Sequence, residues 1–223
     1  FRKTLLMIKS QDIVVLVKLI SIEKMIIKFN DLYEDEYNFY YLNDSLYDTQ
    51  KFFDFQSISL LLSMRGLAES INISKSETAE CIKRLYKIGL LTFKNQKNGE
   101  RIELSNLNWE VNKRSFFKLI VNSFEFFFKT EPKAIDIGIP TVFSNELLKS
   151  HLAYSSPLPF IWPIASYRSI SGIAVDPLHK SVPQASMSDK YLYEIFSLID
   201  VFRIGSPREK NIAQKLLEED LYL

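Results

Sequence analysis

The sequence holds one cysteine and two histidines in 223 residues. A single cysteine excludes an internal disulfide framework, Cys-rich zinc sites and iron–sulfur clusters, and it fits a reducing compartment, so the cytoplasm is the expected location. An excess of one charge is also missing: 28 Lys and Arg stand against 27 Asp and Glu, a formal net charge of +1. Bulk charge therefore assigns no nucleic acid, membrane or acidic substrate, and any electrostatic attraction has to be local. Long apolar runs are absent as well. The stretch from Ile13 to Ile20 is interrupted by Lys18 and is too short for a bilayer, and the first residues show no signal-peptide cleavage pattern, so no membrane association is expected. Phe1 rather than Met opens the sequence, which leaves room for preceding residues.

Catalytic signatures are missing too. Nucleophile elbows, Walker loops and His-Glu-x-x-His motifs do not occur, and with only His151 and His179 no conventional triad has a base to spare. The chain is not expected to be an enzyme, and its residues imply neither cofactor nor metal. Asp176 and His179 flank a Pro-Leu pair and read as a surface or structural pair.

What is present reads as an ordinary globular chain, 47% hydrophobic and 25% charged. Ser10, Gln11 and Asp12 precede an apolar helical run from Ile13 that is expected to continue toward Ile27. Between residues 31 and 54, seven acidic residues face Lys51 alone, with five tyrosines among them. This stretch reads as an insertion, either a solvated loop or short hairpin packed through its tyrosines, or else a partner surface or a mimic of nucleic-acid charge. After Gly66 to Ile73, the Ser74-Lys75-Ser76-Glu77 spacing forms a capping box that starts a new helix. That helix places Thr78, Cys81, Ile82 and Leu85 on one face, which makes Cys81 a small core residue. Lys75, Ser76, Ala79, Glu80, Lys83 and Lys87 fall on the other face. Gly89 ends the helix, Leu90 to Phe93 reads as a strand, Asn98-Gly99 as a turn, and Glu100 to Leu104 as the returning strand.

Helix, turn, helix and hairpin is the winged-helix order. The run from Ile73 to Leu91, with Leu67-Ala68-Glu69 as the preceding helix, resembles the recognition helix and first wing strand of bacterial winged helix-turn-helix regulators of the MarR-like kind. That resemblance implies a mainly α protein with a small β wing (α+β). It places a winged-helix domain over 1–111 and a C-terminal dimerisation or partner lobe over 112–223. It also implies a sequence-specific DNA-binding transcriptional regulator, a repressor-like homodimer on double-stranded DNA. Lys75, Ser76, Ala79, Glu80, Lys83 and Lys87 of the helix, with Lys94, Lys97 and Arg101 of the wing, are the expected DNA contacts, although exposed lysines also occur on any solvated helix face. Glu80 departs from the pattern, because a carboxylate in the groove repels phosphate unless it accepts from a cytosine amino group. The acidic insertion departs as well, since negative charge near a duplex subtracts from affinity.

The second half divides differently. A helix from Asn112 to about Lys129 carries so many phenylalanines, Phe116 to Phe128, that it is expected to be buried on several sides, in a core or a dimer interface. Seven of the eight prolines lie between Pro132 and Pro183, which predicts an irregular lobe in which Phe160 to Trp162 and Ile170 to Val175 pair as a hairpin. A helix from Leu192 to Phe202, stopped by Gly205, is followed by a second capping box at Ser206-Pro207-Arg208-Glu209, giving a terminal helical hairpin. Gly138-Ile139-Pro140-Thr141, Trp162-Pro163 and the Asp200, Arg203, Gly205, Arg208 and Glu209 spacing resemble a family of bacterial regulators associated with defence or toxin-antitoxin loci. The alternative reading is therefore a winged-helix interaction subunit, antitoxin-like or part of a defence complex. It would hold a protein partner through Asp200, Arg203, Arg208 and Glu209, unless these form a surface ion-pair network.

Overall fold

A computed structural model describes residues 7–33, 56–94, 103–105, 107–146, 148–151, 158–166 and 169–222. The described residues are mainly helical with two small sheets, and the chain divides into two compact units. One unit comprises Val15–Val111; the other joins the residues up to Val14 to Asn112–Leu223. The boundary thus falls inside the first helix, α1 (Ser10–Tyr33). The Lys9 amide donates to Asp12 Oδ2 at 2.8 Å, so Asp12 caps α1 by reaching back. From Ile13 to Ile20 every apolar side chain of α1 is fully buried. The acidic insertion beyond Tyr33 lies outside the described residues.

In the first unit, a helical stretch over 56–62 (α2) leads into α3 (Met64–Ser70), α4 (Lys75–Lys87), β1 (Leu91–Phe93) and β2 (Trp109–Val111). Gly66 lies where a Cβ would come within 2.1 Å of the Leu60 carbonyl oxygen, so only glycine lets α3 approach α2. Asn72, at φ 52°, makes the left-handed turn into α4. β1 and β2 are antiparallel, pairing Leu91 with Val111 and Phe93 with Trp109. The strand that pairs with β1 is therefore Trp109–Val111; of the expected return strand, residues 100–102 lie outside the described residues, and Glu103 and Leu104 are not in a strand. Trp109 and Val111 supply the buried faces opposite Leu91 and Phe93, and the Trp109 indole donates to the Leu104 carbonyl at 2.9 Å. The Asn98-Gly99 turn lies outside the described residues.

The second unit holds α5 (Lys113–Phe127), β3 (Ile135–Pro140), β4 (Phe160–Pro163), β5 (Ile170–Ala174), α6 (Val182–Ser188), α7 (Lys190–Ile204) and α8 (Pro207–Tyr222). Asn112 caps α5 by accepting from the Ser115 amide, and Asp189 caps α7 through Leu192. The three strands close into a ring in which β3 pairs antiparallel with both β4 and β5. Two strands that are each antiparallel to a third must run parallel, and β4 and β5 do so, in place of the expected hairpin. The ring is tight: a Cβ on Gly138 would come within 2.0 Å of the Trp162 carbonyl oxygen. After β3 the chain wraps onto α7. Thr141 donates to Asp200, Asn145 to Ser197 at 2.9 Å, and Tyr193 to the Pro140 carbonyl at 2.6 Å. Val142, held inside this wrap, takes φ 55°, a strained value for a β-branched residue.

α5 corrects a second expectation. Phe116, Ile120 and Phe124 form one buried stripe, but Phe126 and Phe127 are 77% and 75% exposed. The helix is buried on one side within this chain: the i, i+4, i+8 row is its fully buried stripe, and beside it Phe117 packs edge-on to Tyr222 of α8 at 5.9 Å and Glu125 pairs with Lys210 at 2.7 Å.

Candidate nucleic-acid interface

α4 is shaped by its ends. Ser74 accepts from the Glu77 amide at 3.2 Å, which completes the expected N-cap, and the Glu77 carboxylate accepts from Arg84 Nη2 at 2.6 Å. Thr78, Cys81, Ile82 and Leu85 are buried, so the helix is anchored along the face that its spacing marks. Tyr86 packs edge-on to Phe93 with ring centroids 5.7 Å apart, tying the end of α4 to β1. Cys81 is fully buried, its sulfur accepting from Arg84.

The opposite face is open. Lys75, Ser76, Glu80, Lys83 and Lys87 are exposed and Ala79 is half-buried. A cleft of about 1050 Å³ runs along this face, bounded across from α4 by Ser59, Leu62, Ser63, Met64 and residues 103–105. Lys75, Ser76, Ala79, Lys83 and Lys87 all line it. Among the described residues, Lys75 and Lys87 make no ion pair, so both charges remain available to an anion. Lys83 is different: its Nζ donates to Glu80 Oε1 at 2.7 Å. That hydrogen bond, and then the lysine's charge, hold the Glu80 carboxyl below its usual range. Lys94 follows β1 and is exposed, while Lys97 and Arg101 lie outside the described residues. The α2 side of the cleft, Ser59 and Leu62, was missed from the sequence. Its only signal was Ser63, which caps α3 by accepting from the Gly66 amide.

The expected partner set comes apart. Asp200 and Arg203 are not at the surface: their side chains are 1% and 5% exposed. Asp200 accepts from Thr141 at 3.0 Å, from the Trp162 indole at 2.5 Å and from Arg203 Nη1, and Arg203 also donates to the carbonyls of Phe128 and Asp176. The two residues join α7 to the ends of α5, β3 and β5, and no partner can touch them. Burial pushes the Asp200 carboxyl above its usual range, against the opposing pull of Arg203, Trp162 and Thr141. Glu209 is occupied at the helix start, accepting from the Ser206 amide at 2.7 Å, which leaves Arg208 as the exposed member of the set. Asp176 and His179 part as well: Asp176 pairs with Lys133 at 2.5 Å, and His179 Nδ1 meets the Ser181 hydroxyl at 2.9 Å.

No group of three His, Cys, Asp or Glu side chains that could hold a metal occurs among the described residues, and none of their helices is long and apolar enough to cross a membrane. No protein-family model, curated protein or solved structure matches the chain.

Proposed function

We propose that this chain is a sequence-specific, double-stranded-DNA-binding regulator of transcription with a winged-helix first unit. α4 enters the major groove and the β1–β2 hairpin lies along the backbone. The supporting observation is the division of α4: Thr78, Cys81, Ile82 and Leu85 anchor one face, and Lys75, Ser76, Lys83 and Lys87 line a cleft on the other. A helix held this firmly, with cations at both ends of its open face, can straddle a groove and its phosphates. One such helix reads few base pairs, so a homodimer on two half-sites roughly 34 Å apart belongs to the proposal. Exposed Phe126 and Phe127 provide apolar surface for that contact. The protein acts in the cytoplasm, without catalysis or cofactor.

The test is a mobility-shift titration of the full chain against DNA from upstream of its own gene, over a salt series. Three lysine contacts to phosphate per protomer (Lys75, Lys87 and Lys94) give a log–log salt slope of roughly −3 per protomer. A flat salt profile removes the reading. A monomer by light scattering, with and without DNA, removes the dimer. The second reading, an interaction subunit of the antitoxin or defence-complex kind, draws support from the same exposed Phe126 and Phe127, which fit a different protein as well as a second copy. It predicts no duplex binding at any salt concentration.

A further inference from the structure

Glu80 and Lys83 stand one turn apart in the middle of the open face of α4, 53% and 57% exposed, with Lys83 donating to Glu80 Oε1. Glu80 is the only carboxylate among that face's exposed α4 residues, and its Oε2 has no partner among the described residues. Lys83 has spent one of its three ammonium donors on Glu80. Beside the pair, Ala79 adds only a methyl group, so the helix can come close to base edges at this point.

We propose that Glu80 and Lys83 act as one unit that reads a single C·G base pair in the major groove. This rests on the DNA-binding reading above and goes further by naming the base pair and the two side chains that select it. A lone carboxylate in the groove loses hydration and meets phosphate repulsion on every sequence. Carried in contact with Lys83, it arrives as a neutral pair with one acceptor oxygen and two donor hydrogens to spare. Cytosine presents its N4 amino donor at one side of the pair, and guanine presents O6 and N7 acceptors beside it, so acceptor and donor each find a match in one base pair. An A·T pair sets its N6 amino group between the N7 and O4 acceptors, so a carboxylate aimed at N6 meets an acceptor on either side. The ion pair thus discriminates through attraction on C·G and repulsion on A·T.

The experiment is selection of the full chain on a randomised 30-base-pair duplex pool, with wild type, Glu80→Gln, Lys83→Ala and Lys75→Ala compared by sequencing. All three positions are exposed, so the variants keep the fold, and matching circular dichroism spectra verify it. The expected wild-type motif carries a fixed C·G pair in each half-site. Glu80→Gln and Lys83→Ala each relax that same pair by roughly tenfold or more, Glu80→Gln toward A·T because an amide both donates and accepts. Lys75→Ala weakens all sequences alike. If wild type enriches a motif in which the two variants act at different base pairs, or at none, the base-pair assignment falls while DNA binding stands. If wild type enriches nothing, the DNA-binding reading fails and the assignment with it.

Discussion

α4 and α7 each carry a carboxylate and a cation three residues apart. In α4, Glu80 and Lys83 meet at 2.7 Å with both side chains more than half exposed; in α7, Asp200 and Arg203 meet with side chains 1% and 5% exposed. The helical geometry is the same and the energetics are opposite. At the surface, water and salt screen the attraction, and the contact contributes little to the fold. In the interior, each charge has lost its hydration and depends on its partner and on further donors and acceptors. Those are supplied by Trp162, Thr141 and the carbonyls of Phe128 and Asp176. A pair that contributes little to stability is free to be exchanged for another partner, and that freedom suits a binding surface. A pair that holds several elements together is not free in this way.

Four changes test the contrast. The largest effect is expected for Asp200→Ala. It strands the Arg203 charge and leaves the Trp162 and Thr141 donors unmatched in the interior, at a cost of about 3–5 kcal/mol in chemical denaturation at neutral pH. A loss well under 1 kcal/mol would show that the buried cluster is not what joins α7 to the strand ring. Gly138→Ala comes next. Its Cβ meets the Trp162 carbonyl oxygen, so β3 and β4 must separate, costing about 1–3 kcal/mol by the same measurement. On the exposed side, Lys75→Ala should leave stability unchanged and reduce the salt slope of DNA binding by about one unit per protomer. An unchanged slope would mean that the lysine touches no phosphate. The smallest effect is that of Glu80→Gln on stability, where the thermal midpoint should coincide with wild type because the pair is solvated. A clear drop would show that the α4 pair contributes to the fold after all.

The pH dependence adds a sign to the contrast. Burial raises the folded Asp200 carboxyl above its ordinary value, which is about 3.9, so folding takes up a proton in the window above that value. The proton-linked share of Asp200's contribution is therefore present below this window and falls as pH rises through it, while the contacts of the carboxylate with Arg203, Trp162 and Thr141 remain at neutral pH. Glu80, held low by Lys83, gives the reverse sign: its contribution is present at neutral pH and lost on acidification. Denaturation midpoints across pH 4–8 for wild type and Asp200→Asn should differ in slope. Parallel curves would contradict the raised carboxyl.

Much of α4 was legible without coordinates, because caps and faces depend on residues three or four apart. Ser74 with Glu77, Asn112 with Ser115, and Ser206 with Glu209 bond across three positions, and the buried set Thr78, Cys81, Ile82 and Leu85 follows from helical periodicity. Strand pairing was less legible. Alternation at Glu100 to Leu104, of which residues 100–102 lie outside the described residues, pointed to the return strand, yet the partner of β1 is Trp109–Val111, since pairing is settled by which side chains can fill the space over Leu91 and Phe93. β3 was hidden in a Pro-rich stretch, and missing it turned a parallel pair into a hairpin.

The chain's own order thus determined where helices begin and which face of α4 stays open, because those choices rest on bonds between near neighbours. Tertiary structure alone decided the fate of the charged residues near the end of α7. Asp200 is reached by Trp162 from 38 positions away and by Thr141 from 59, so nothing local marks it as buried, and a spacing that reads as a surface ion pair becomes an interior one. The same holds in reverse for Phe126 and Phe127: their composition asks for burial, but in α5 only the row through Phe116, Ile120 and Phe124 is fully buried. Local hydrogen bonds act over one turn, whereas burial depends on what distant segments leave uncovered.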